Sequence, residues 1–119
     1  MNASEIIAAD AQSHGVDPQK ALLAVSMLLK KKAFLMQSGN SVLICTPIAP
    51  GCAEVHLATV DQPLGLMRAL SDFAQKLKNS PIQKIYGKAD NPQIVEFIKR
   101  AGVQVMNSDK PGYNWMGVL

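Results

Sequence analysis

Apolar residues recur along this chain with two different periods, and the switches between them mark its elements. From about Ser4 to Ser13, Ile6, Ile7 and Ala11 make a short helical stripe that Gly15 is placed to end. Asp17 followed by Pro18 reads as a cap and a first helical position. It opens a second helix with Leu22, Val25, Leu28 and Leu29 on its inner side. Lys30, Lys31 and Lys32 close that helix where positive charge complements its dipole. A solvated helix end is the expected reading of this run, with an acidic partner or anionic ligand as the other.

The period then changes. Ala33 to Gln37, Ser41 to Thr46 and about Cys52 to Val60 read as three strands, turned by Ser38-Gly39-Asn40 and by Pro47 to Gly51 into an antiparallel meander. Val42 to Cys45 is apolar at every position, which predicts burial on both faces and a layer on each side of the sheet. The third strand alternates, with Val55, Leu57 and Thr59 on one face and Glu54, His56, Ala58 and Val60 on the other.

After Asp61-Gln62-Pro63 a helix runs to about Lys78 on a core stripe of Leu66, Met67, Leu70, Phe73, Ala74 and Leu77. Ile82 to Gly87 reads as a short strand, parallel to the third through a right-handed crossover. The last helix carries both of its end signals: Asn91 as cap, Pro92 at its first position and Gly102 as its stop. Ile94, Val95, Phe97, Ile98 and Ala101 form its apolar stripe, and Glu96 faces Lys99 and Arg100. Val103 to Met106 and Tyr113 to Val118 form a closing hairpin around a turn-rich loop.

The 119 residues, 48% hydrophobic and 18% charged, suit one domain spanning 1–119. The net charge of +3 and 5% aromatic content give no interleaved basic and aromatic pattern, hence no nucleic-acid signal. Ala21 to Leu29, the longest apolar stretch, is too short to cross a bilayer. Cys45 and Cys52 flank a turn and could face each other. In a core-bearing chain without a signal peptide they read as packed thiols of a cytoplasmic protein, and without nearby histidines they make a poor metal site.

The element order is two helices, a three-strand meander, a helix, a strand, a helix and a hairpin. This α+β, α/β/α-layered order resembles the GNAT acyltransferase fold without its usual first strand. Asn91, Ile94 and the run Phe97-Ile98-Lys99-Arg100-Ala101-Gly102-Val103 stand in the register of that family's Asn, aliphatic and Leu-Tyr-Glu-Lys-Leu-Gly-Phe positions. In topology the resemblance covers almost the whole chain; in sequence it covers this dozen residues.

The resemblance implies that acetyl-CoA or another acyl-CoA lays its pantetheine arm between the third strand and the strand ending at Gly87. Its pyrophosphate would then lie on the turn at the next helix start. Val60, Gln62, Leu64, Gly65, Leu66, Arg68 and Asn91 are the implied cofactor-binding residues, and Glu54 and His56 the implied catalytic ones. Histidine is the side chain suited to taking an amine proton through water near neutral pH.

The family's Gln/Arg-x-x-Gly-x-Gly/Ala turn is degraded in either register. One gives Gln62, Gly65 and Met67; the other gives Ala58, Asp61 and Pro63. The family's tyrosine general acid falls at Ile98. Two functions follow. One is an acyl-CoA-dependent N-acyltransferase acting on an amine. The other is a non-catalytic GNAT-like binding protein, similar to small GNAT-like proteins of tailed phages. Trp115 would then be a candidate partner surface, against its ordinary reading as core.

Overall fold

The computed structural model describes residues 1–88 and 91–119. Local signals set the helix starts. Asn2 caps α1 (Ala3–Ser13) by accepting from Glu5 N–H while Glu5 accepts from Asn2 N–H, a reciprocal box that fixes the first turn. Asp17 caps α2 (Pro18–Leu29) and Asn91 caps α4 (Pro92–Arg100), each with proline next in sequence. α3 (Pro63–Lys78) also begins on proline, yet no side chain caps it.

The strands are β1 (Phe34–Ser38), β2 (Ser41–Ala49), β3 (Cys52–Thr59), β4 (Lys84–Gly87), β5 (Gln104–Met106) and β6 (Trp115–Val118). They form one six-stranded sheet in the order β1-β2-β3-β4-β6-β5. Among the described residues only β3 and β4 pair in parallel, with α3 as the crossover between them. α1 and α2 cover Val42, Ile44 and Ala58 on one face, while α3 and α4 cover Leu43, Cys45, Val55 and Ile85 on the other. Val42 to Cys45 is buried at every position because neighbouring residues feed opposite cores. This is the GNAT-like α+β arrangement expected from the element order.

Several details differ from the sequence reading. β2 runs on through Pro47 to Ala49, because a bulge there lets an exposed proline sit where it need not donate to the ladder. β4 starts at Lys84 rather than Ile82, since Gln83 and Lys84 first donate to Gly51 C=O. Leu29 points outward: α2 lies over α1 and β2, only Ala21, Leu22, Val25 and Leu28 reach the core, and no α2 residue is fully buried. Cys45 stands opposite Val55 and Cys52 opposite Ala49, so the two thiols do not face each other and both are free. Burial pushes the Cys45 thiol up to about 12. Trp115 is core, its indole lying on Gly87, where any Cβ would clash with the ring. Among the described residues no helix is long and apolar enough to cross a membrane.

Candidate functional site

β3 and β4 share only three rungs, the last joining Glu54 and Tyr86. Beyond it β3 continues to Thr59, still paired with β2 on its other side, while β4 stops at Gly87. The strands therefore part and leave a slot. Thr59 N–H points across this slot, donating to Asp10 Oδ1 at 3.2 Å. Backbone direction alternates along a strand, so the N–H and C=O of Leu57, two residues back, face the slot as well. They lie past the last rung to β4. An interior strand edge of this kind is suited to pairing with an extended, amide-bearing chain.

A cavity of about 490 Å³ fills the slot. On the α3 and α4 side its walls are apolar, with Leu57, Phe73, Ala74, Ile94 and Ile98 among them. On the opposite side it meets Asp10, His14, His56 and Lys88. Residues from both faces of the sheet line one space, so the cavity passes between the strands.

Of the expected catalytic residues His56 lines the polar mouth, and Glu54 sits beside it without lining the cavity. Glu54 and His56 sit two apart on β3 and share the face opposite the apolar wall. His56 Nε2 is 3.5 Å from Glu54 Oε2, and Lys88 Nζ is 3.5 Å from Glu54 Oε1, so one carboxylate bridges an imidazole and an ammonium. Glu54 is well covered and His56 is 41% exposed, which leaves the imidazole as the member that meets solvent.

Three members of this mouth lay outside the sequence-based site: Asp10, His14 and Lys88. His14 Nδ1 contacts Asp10 C=O at 2.8 Å as part of the end of α1, which accounts for its helix-end position. The signals that point to these residues are slight. Lys88 follows the C-terminal end of a parallel strand, and Asp10 and His14 share a helix face at a spacing of four.

The expected phosphate turn is built differently. Val60 N–H is spent on Asn40 C=O, and Leu66 is buried with its N–H bonded to Gln62 C=O, so neither backbone donor is free for a ligand. Pro63 has no N–H, which leaves Gln62, Leu64 and Gly65 as the donors of an uncapped first turn. Asp61 Oδ2 accepts from Asn40 N–H at 3.1 Å and from Ser41 Oγ at 2.6 Å, clasping the start of α3 to the β1–β2 turn. That clasp lays its carboxylate against Gly65, where a Cβ would meet Oδ1 at 3.3 Å. Arg68 is exposed on the second turn. Of the seven cofactor-binding residues expected, only Asn91 lines the cavity, and its side chain is occupied in capping Gln93 N–H.

Ile98, standing where the family's acid would be, is buried and lines the apolar wall. Among the described residues that line the cavity there is no tyrosine. Tyr86 is buried and donates to Asp109 Oδ1 at 2.8 Å. Burial first, and this bond second, push its hydroxyl above the ordinary phenol range, while the same bond holds Asp109 below the usual carboxylate range. Tyr113 packs 5.5 Å from Tyr86, and burial followed by the Glu54 charge raises it too. These phenols hold the β5–β6 loop onto the sheet.

No protein-family model matches the chain, and no curated protein matches it by sequence. Among solved structures the chain is similar to a Bacillus subtilis acetyltransferase in complex with CoA, at 15% identity and a TM-score of 0.54. The match covers 85% of this chain and 82% of that one. At that identity the likeness is one of fold, and it agrees with the GNAT-like order of elements.

Proposed function

We propose that the protein is an acyl-CoA-dependent N-acyltransferase. The observation that carries this reading is the slot between β3 and β4: an apolar passage through the sheet, edged at Leu57 by strand backbone with no β4 partner among the described residues, that opens beside a carboxylate–imidazole–ammonium cluster. Acyl-CoA supplies the acyl group as a thioester on a pantetheine arm. Leu57 N–H and C=O offer β-type pairing to the amides of that arm, and Leu57, Phe73, Ala74 and Ile98 exclude water around it. The thioester would then lie within reach of His56.

An amine entering at the polar mouth attacks the thioester carbonyl, so that a C–N bond forms and the C–S bond breaks. His56 takes the amine proton, directly or through water, and Glu54 holds the imidazole and stabilises its charged form. Lys88 offers positive charge to the departing thiolate, which is protonated by water. Much of the rate in such a transfer comes from holding two reactants together, so the isoleucine at position 98 is compatible with turnover.

The test is release of free thiol from acetyl-CoA in the presence of a panel of primary amines, monitored alongside mass spectrometry of the acylated product. Amine-dependent thiol release is expected. Absence of both CoA binding and turnover on any amine would support the second reading, a non-catalytic module that has lost CoA and acts by binding, which the exposed apolar residues Leu23 and Met27 on α2 favour. Trp115 contributes nothing to that second reading, because it is buried.

A further inference from the structure

The slot and the turn that follows it make opposite demands on the acyl donor. We infer that the donor is recognised through its pantetheine arm, and that its nucleotide contributes little. The substrate class is thus acyl-pantetheine thioesters in general, phosphorylated or not. This inference rests on the proposed function and concerns the outer end of the same site.

The arm's half of the site is built. About 490 Å³ of mostly apolar space accompanies the open edge at Leu57. The diphosphate's half is not. A diphosphate at a helix start needs several converging N–H donors and positive charge. Here Pro63 removes the N–H at the first helical position, and Val60 and Leu66 have committed theirs.

The Asp61 carboxylate then adds a negative charge beside Gly65, and it is not free to leave. Ser41, fully buried, donates to it at 2.6 Å, Asn40 N–H donates at 3.1 Å, and Asp61 N–H is itself bonded to Thr59 Oγ1 at 3.1 Å. Moving the carboxylate aside would leave Asn40 N–H without its acceptor and turn Ser41 back on Thr59 Oγ1, 2.6 Å away, as its one remaining partner. Arg68 is the one cationic side chain in the first two turns, and it is solvent-exposed. Two phosphates at the start of α3 would therefore meet a fixed carboxylate. The N–H groups left at Gln62, Leu64 and Gly65 flank that carboxylate and suit at most one phosphate.

Calorimetric titration of the whole protein with CoA, 4′-phosphopantetheine, pantetheine and adenosine 3′,5′-bisphosphate tests this. Pantetheine and phosphopantetheine are expected to bind within about tenfold of CoA, and the nucleotide alone not to bind. Asp61→Asn keeps an acceptor for Ser41 and removes the charge. It is expected to tighten CoA by about three- to tenfold and to leave pantetheine unchanged. A loss of about a hundredfold or more on removing the nucleotide, or binding of the nucleotide by itself, overturns the inference while leaving the acyltransferase reading intact. If none of the pantetheine compounds binds, the acyltransferase reading fails and the inference with it.

Discussion

Residues 55–59 and residues 61–65 are neighbours in the chain and differ in what they leave available. In the first stretch Leu57 lies past the last rung to β4 and, among the described residues, its N–H and C=O have no strand partner on the slot side, while Thr59 N–H is bonded to Asp10. The second commits almost everything it has: Val60 to Asn40, Leu66 to Gln62, and the Asp61 carboxylate to Asn40 and Ser41. One region is left open to accept a chain; the other is closed to stabilise the fold. Two adjacent stretches of one chain thus differ in how far their polar groups are committed to the fold.

Four substitutions break or sharpen that contrast. Glu54→Gln attacks chemistry at the open region's polar mouth and should lower kcat by about 10² to 10⁴ with little change in donor KM, read from thiol release. An equal rise in KM would mean that Glu54 holds the donor instead. Leu57→Trp fills the slot itself and should weaken CoA binding by about a hundredfold in calorimetry, while overpacking costs no more than about 1–3 kcal/mol of stability.

Asp61→Ala tests the closed region. It removes the acceptor of Asn40 N–H and breaks the charge-assisted bond from Ser41, and should cost about 2 kcal/mol in urea unfolding, with no loss of pantetheine affinity. The smallest effect is expected far from both regions, at Tyr86→Phe. Asp109 is held low by the Tyr86 hydroxyl, so its contribution is complete above the ordinary carboxylate pKa and is lost as the pH falls through its depressed folded value. The stability difference between wild type and Tyr86→Phe should therefore be constant at neutral pH and shrink in acid. A difference that grows in acid would contradict this assignment.

Much of the fold is legible in local signals, because each needs only a few adjacent residues. Asp17-Pro18, Asn91-Pro92, Gly15 and Gly102 mark helix ends by backbone geometry alone, and the four apolar residues Val42 to Cys45 report a layer on each side. The site is less legible, because it depends on where strands stop pairing. Nothing local distinguishes Glu54, on the last rung, from Leu57 beyond it. Asp10 and His14 reach the cavity only because α1 ends over the free edge of β3, 45 residues or more away in sequence, where Asp10 accepts from Thr59. Glu54 and His56 are singled out by the family resemblance, alternation giving only their shared face, whereas Lys88 has to be brought in by β4. Asp61 reads in sequence as a charge beside phosphates; the structure adds that Ser41 and Asn40 hold it there.

The central claim is that the passage between β3 and β4 holds a pantetheine thioester, and thermal unfolding with saturating acetyl-CoA tests it most directly. At a hundred times its dissociation constant the ligand should add about 2.7 kcal/mol, raising the wild-type Tm by roughly 10 °C and that of Leu57→Trp by far less. No shift in the wild type, or the same shift in both proteins, would contradict the account.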